Sequence, residues 1–139
     1  MTIPVTLSPE AYRPLRLHDT DAGIDLRAPY GCLIRTGGSA RFDTGVRVQL
    51  PEGTCGLILP RSGMNILHGI LTTGLIDEGY EGTITVMLYN LGAEDYMVYA
   101  GDRIAQLVVI PALRPDVAVV DSLPARSDRG AAGIGSTGR

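Results

Sequence analysis

From Thr83 to Asn90 the side chains alternate, with Ile84, Val86 and Leu88 on one side and Thr85, Met87 and Tyr89 on the other. A period of two suits a half-buried strand, so this stretch commits the chain to a sheet with one apolar face. Immediately upstream, Gly74-Leu-Ile-Asp-Glu-Gly-Tyr-Glu-Gly82 reads as a hairpin feeding that strand. Glycines at 74, 79 and 82 offer the positive-φ freedom and the close backbone approach that a ligand-cradling turn requires. Asp77 and Tyr80 then sit on a loop held by a rigid strand, where functional side chains tend to concentrate.

The rest of the chain is punctuated in the same way. Its 139 residues include 18 Gly and 9 Pro, roughly a fifth of the total, too many for long helices. One domain of short strands and many turns fits that count. Strands are expected at Ile3 to Leu7, Ile24 to Ala28, Cys32 to Ile34, Ala40 to Asp43, Val46 to Leu50 and Thr54 to Leu59. Further strands are expected at Asp95 to Tyr99, in the apolar run Leu107 to Pro111, and at Val117 to Val120. The one plausible helical turn is Ser62 to Leu67.

Charge and composition limit the chemistry. A net charge of −3 and a pI near 5.2 argue against a nucleic-acid polymer as partner. All 12 basic residues are arginine, so an anion must be held by guanidinium forks or backbone N–H groups, and lysine chemistry is excluded. No signal peptide and no apolar run of membrane-spanning length is present, which predicts a soluble, cytoplasmic protein with no membrane partner. Cys32 and Cys55 lack metal-site spacing and read as buried free thiols, a disulfide or metal pair being the minor alternative, while His18 and His68 are too isolated for zinc.

Four other stretches carry polar groups in suggestive contexts. In Asp21-Ala-Gly-Ile-Asp-Leu26 the local pattern favours turn chemistry for Asp21 and Asp25. Pro60-Arg-Ser-Gly63 opens the helical turn and offers an anion site if Ser62 caps it, although an ordinary N-cap reads the same. Gln106, at the end of Gly101-Asp-Arg-Ile-Ala-Gln106, is a polar residue beside a buried strand, and a core-edge Gln is the plain alternative. The tail from Arg129 to Gly138 is too glycine-rich to fold alone, yet it combines Arg129 with Ser136 and Thr137 as a phosphate clamp would.

Together the five stretches, DAGIDL, PRSG, GLIDEGYEG, GDRIAQ and RGAAGIGSTG, resemble the trimeric deoxyuridine triphosphatase (dUTPase) family, in its motif order and over most of the chain. The resemblance implies an all-β, jelly-roll-like distorted barrel with one short helix, residues 1–121. A flexible glycine-rich arm, residues 122–139, would close over the active site of a neighbouring subunit in a homotrimer, each site taking the first, second and fourth stretches from one subunit, the hairpin from a second and the arm from the third. The implied reaction is hydrolysis of dUTP to dUMP and pyrophosphate with Mg²⁺ on the triphosphate.

By the same resemblance, Asp77 would orient and deprotonate the attacking water. Arg61, Ser62 and Gly63 would hold the phosphate chain, Gln106 would bind near the α-phosphate, and Asp25 would hold metal-bound water. Arg129 would act as an arginine finger beside Ser136 and Thr137. Backbone groups of the hairpin around Gly74 and Ile76 would read the uracil edge, and Tyr80 would pack under the deoxyribose. Gly133, Ile134 and Gly135 would cover the base.

Three positions depart from the family's usual pattern: Ile134 where an aromatic residue is common, Thr83 where an acid is frequent, and Thr72-Thr73 where an Asn sometimes precedes the hairpin. They bear on affinity and base choice. Two other readings share the fold. A dCTP deaminase would need a glutamate over the base, and Thr83 to Asn90 carries no carboxylate. A regulatory protein on a retired enzyme scaffold would be expected to lack Asp77, Arg61 or Arg129, and all three are present. A regulatory protein partner is compatible with retained catalysis.

Overall fold

Glycine and proline cut the chain where expected. The computed structural model describes residues 2–123. They form β1 (Val5–Leu7), β2 (Ile24–Arg27), β3 (Cys32–Ile34), β4 (Ser39–Asp43), β5 (Val46–Val48), β6 (Thr54–Leu59), α1 (Ser62–His68), β7 (Ile70–Leu71), β8 (Gly74–Ile76), β9 (Thr85–Asn90), β10 (Tyr96–Val98) and β11 (Arg103–Pro111). All strand pairings are antiparallel, in two ribbons, β1-β5 and β10-β3, and two larger sheets, β2-β11-β6-β8 and β4-β9-β7.

The alternation from Thr83 to Asn90 is what builds the core. Ile84, Val86 and Leu88 are fully buried, while Thr85 and Tyr89 face outward. They pack with Leu26, Ile34, Phe42, Ile58, Ile104 and Leu107 from the other strands into one cluster. Phe42 also stacks on Tyr30, with ring centroids 5.2 Å apart. The nine-residue strand β11 is the axis of the larger sheet, because it pairs with β2 on one side and β6 on the other.

The structure corrects the sequence reading in several places. Gly74 to Asn90 is not one hairpin: β8 pairs with β6, whereas β9 pairs with β4 and β7, so the Asp77 turn crosses between sheets. Among its glycines only Gly79 has positive φ, at 82°. The other two serve close approach: a Cβ at Gly74 would lie 3.3 Å from the Ile58 Cβ, and one at Gly82 would run into the Tyr80 ring. Val117 to Val120 forms no strand, and Val117 and Val119 are more than nine-tenths exposed. A β-branched run needs an adjacent strand edge, and the described residues supply none there.

Two smaller differences concern α1 and its neighbours. Arg61, not Ser62, holds the N-cap position, with extended φ −79° and ψ 135°, and no side chain caps the helix. Ser62 is instead the first helical residue. The helix ends at Gly69 in the left-handed region, φ 66°, whose N–H donates to the Asn65 carbonyl. The two-residue strand β7 is too short to leave a periodic signal.

Candidate active site

Register decides which side chains meet. Gln106 on β11 lies opposite Asp25 of β2 and also opposite Leu59 of β6, two residues before Arg61. The three elements therefore converge at one end of the sheet, around a cleft of about 340 Å³. Asp25, Arg61, Ser62, Arg103 and Gln106 line it, together with Gly23 and the loop from Leu17 to Ala22.

Asp25 organises this cleft. Its side chain is only 14% exposed, and each carboxylate oxygen has its own guanidinium: Oδ1 accepts from Arg61 Nε at 3.1 Å and Oδ2 from Arg103 Nη1 at 3.0 Å. The turn-capping role expected for both aspartates belongs to Asp21 alone. The His18 backbone N–H donates to Asp21 Oδ2 at 2.9 Å, and that bond, helped by the His18 ring and Arg16, holds the Asp21 carboxyl below the usual carboxylate range. Two guanidiniums thus share the Asp25 carboxylate, and with Asp21 also on the lining the cleft sets two arginines beside two aspartates.

Gln106 is fixed as well. Its Nε2 donates to the Pro60 carbonyl at 3.0 Å, which leaves the second amide hydrogen for a ligand. Its side chain lies against Gly23, where an added Cβ would overlap the amide oxygen and come within 2.9 Å of Gln106 Cβ and Cδ. Gly23→Ala is accordingly expected to lower kcat/KM by about ten- to a hundredfold by displacing that amide, and to lower the melting temperature as well, because the contact with Gln106 Cβ forces the backbone to shift. Steady-state kinetics beside a thermal melt check it, and near-native kcat/KM would mean that the Gln106 position does not matter.

The remaining hairpin residues lie elsewhere. In the β6–β8 ladder Gly74 faces Ile58 and Ile76 faces Gly56, so Asp77 falls beside Cys55 while Arg61 lies beyond the other end of β6. Six residue steps of extended chain separate the two ends, roughly 20 Å at about 3.3 Å per residue. Asp77 and Tyr80 are exposed on a turn in which Tyr80 N–H donates to the Asp77 carbonyl at 3.1 Å. Glu78 ties that turn down by accepting from the Gly53 N–H at 2.7 Å and from Arg114. Gly63 lies outside the cleft lining, with open space above its Cα. Arg129, Gly133, Ile134, Gly135, Ser136 and Thr137 lie outside the described residues.

Sequence reasoning overlooked Arg103, although it stood inside the GDRIAQ stretch, and it overlooked the Leu17 to Ala22 wall of the cleft. Cys32 and Cys55 are free thiols, though both are half-buried and not buried as expected. No helix among the described residues is long and apolar enough to cross a membrane.

The described residues form an antiparallel β domain whose cleft, at one sheet end, is lined by charged and amide side chains, the arrangement of a polar ligand-binding class. Comparison with known proteins makes the class specific. A family model for dUTPase matches residues 10–138, and the chain belongs to the dUTPase family. The probable deoxyuridine 5'-triphosphate nucleotidohydrolase of Schizosaccharomyces pombe is 41% identical over 133 residues, covering 95% of this chain and 94% of that protein. The Clostridium acetobutylicum deoxyuridine 5'-triphosphate nucleotidohydrolase is 41% identical over 131 residues, covering 92% and 90%. Among solved structures, a mutant dUTPase of Staphylococcus bacteriophage 80alpha with dUpNHpp superposes with a TM-score of 0.91 at 30% identity, covering 99% of each chain. A mutant dUTPase from phage phi11 of S. aureus, described with a structural Mg(II) ion, superposes with a TM-score of 0.81 at 28% identity, covering 90% and 100%. The jelly-roll-like, all-β expectation holds, with a single short helix among the described residues.

Proposed function

We propose that the protein hydrolyses dUTP to dUMP and pyrophosphate by water attack on the α-phosphorus, at sites shared between the subunits of a homotrimer. The observation that carries this reading is the separation along β6. The Asp25 cleft and the Asp77 turn, which the family's motifs assign to one site, lie roughly 20 Å apart in one chain by strand geometry. This separation supports the family's arrangement, in which a second copy supplies the turn to the cleft of the first.

In the composite site, Arg61, Ser62 and the open backbone at Gly63 hold the phosphate chain, and the free Gln106 amide hydrogen reaches toward the α-phosphate. Asp77 accepts the proton of the attacking water, which an exposed carboxylate within hydrogen-bond reach can do. Gly74 and Ile76 read the uracil edge through backbone groups, and Tyr80 packs under the deoxyribose. Arg129 neutralises the departing phosphates beside Ser136 and Thr137, as arginine fingers do. Gly133, Ile134 and Gly135 cover the base.

The donor set fits Mg²⁺ carried in by the nucleotide. Asp25 is one partly buried hard carboxylate, and no group of three or more His, Cys, Asp or Glu among the described residues could cage an ion. A single hard carboxylate of this kind would hold Mg²⁺ through the ion's own waters. When bound, the ion would offset charge developing on the phosphates. The product supplies dUMP for dTMP synthesis, removal of the substrate limits uracil incorporation into DNA, and the cytoplasm is the compartment proposed.

Pyrophosphate release measured side by side with dUTP, dTTP, dCTP and UTP tests the activity. Only dUTP should turn over efficiently, because a site built on hydrogen bonds rejects a mismatched edge strongly. Efficient turnover of dTTP or UTP would overturn the specificity, and ammonia release from dCTP would overturn the reaction class.

Ile134 gives a further check. Base stacking on an aromatic ring is worth about 1–3 kcal/mol, part of which an isoleucine recovers by burial. Ile134→Phe should therefore lower KM for dUTP severalfold with kcat little changed, the signature of uniform binding. An unchanged or raised KM would place residue 134 away from the base.

A further inference from the structure

Arg103 reaches the cleft only because β11 is irregular. In a regular strand, residues three apart point to opposite faces, so Arg103 and Gln106 should not share one. The β2–β11 register breaks between Arg103 and Ala105: Arg103 faces Arg27, Ala105 faces Leu26, and Gln106 faces Asp25. Ile104 and Ala105 are consecutively buried, at 1% and 0% exposure, which marks the bulge in the burial pattern. Bulges of this kind re-aim a side chain at the expense of ladder regularity. Here the bulge brings Arg103 to the same side as Gln106 and onto Asp25 Oδ2.

We infer that Arg103 is a positioning residue for the metal-binding carboxylate: it holds Asp25 oriented toward the hydrated Mg²⁺ of the nucleotide. The inference rests on the dUTPase reading above and assigns Arg103 no contact with substrate. The physical need is specific. Asp25 is largely buried, and a buried carboxylate that loses its charged partner is strongly destabilised. Arg61, its other partner, is the group required on the phosphates, so it cannot be the permanent anchor. Arg103 can, because its Nη1 bond takes one lone pair of Oδ2 and leaves the rest of the carboxylate free for water. Arg61 Nη1 also donates to the Arg103 carbonyl at 3.5 Å, so the bulged backbone meets Arg61 as well.

The test is binding of dUpNHpp to the full-length trimer by calorimetry, once with Mg²⁺ and once with EDTA. The quantity read is the ratio of the two dissociation constants, the Mg²⁺ increment. In the unaltered protein, failure of dUpNHpp to bind would sink the dUTPase reading itself. If it binds with an increment, Arg103→Gln is expected to cut that increment about tenfold, the scale found when an outer partner of a metal ligand is lost. Arg103→Lys, which keeps the charge on a shorter side chain, should restore only part of it. A full increment in Arg103→Gln overturns the inference, whether or not overall affinity falls, because a uniform loss would mark a plain charge effect on the phosphates. Size-exclusion chromatography confirms assembly of each variant. Arg103→Met, of similar length, replaces the glutamine variant if that one does not assemble, and the same two outcomes apply to it.

Discussion

Asp77→Asn is expected to abolish turnover, by roughly 100-fold or more, while the trimer still assembles and still binds dUpNHpp. Asparagine keeps the size and polarity of the side chain and removes only its basicity. The position can bear the change: Asp77 is exposed, and what shapes its turn is the bond from Tyr80 N–H to the Asp77 carbonyl and the left-handed Gly79, neither of which uses the carboxylate. Neighbouring Glu78 anchors the turn independently through Gly53 and Arg114. A loss confined to kcat would therefore report the reacting group and not the fold. Pyrophosphate release beside dUpNHpp calorimetry makes the comparison, and near-native turnover would remove Asp77 from the role of base.

How much of this was legible in the sequence depended on range. The period-two run at Thr83 to Asn90 announced its strand because alternation is a local property, and its apolar face is fully buried. Which strand it pairs with is not local. The Asp77 segment looks like a hairpin in sequence, yet tertiary pairing sends β8 and β9 to different sheets. Asp25 shows the same limit within the site. Its neighbourhood, Asp-Ala-Gly-Ile-Asp, resembles a turn, and the turn is capped by Asp21, while Asp25 is claimed by Arg61 and Arg103, 36 and 78 residues away. Only the match of five ordered stretches to a family brought Asp25, Arg61 and Gln106 together beforehand. Arg103 escaped even that, because strict alternation would turn it away from Gln106 and nothing local in the sequence announces a bulge. Val117 to Val120 failed in the opposite sense, since strand propensity without an adjacent edge yields no strand.

Removal of Ser127 to Arg139 should separate stability from catalysis in the same molecule. The deleted segment, Ser-Asp-Arg-Gly-Ala-Ala-Gly-Ile-Gly-Ser-Thr-Gly-Arg, offers one large apolar side chain, Ile134, and so has almost nothing to give a core. The buried cluster from Leu26 to Leu107 is already closed without it. Melting temperature and trimer mass should hardly move. Activity should fall by about a thousandfold or more, because the segment carries Arg129, and arginine fingers are typically worth 10³–10⁵ in kcat. Both the Asp25 cleft and the Asp77 turn stay intact in the shortened chain, so addition of the missing segment as a free peptide should recover little, the advantage of a tethered arm being its effective concentration. A truncated chain that unfolds or runs as a monomer would show that the segment is structural, and one that keeps full activity would remove Arg129 from the reaction.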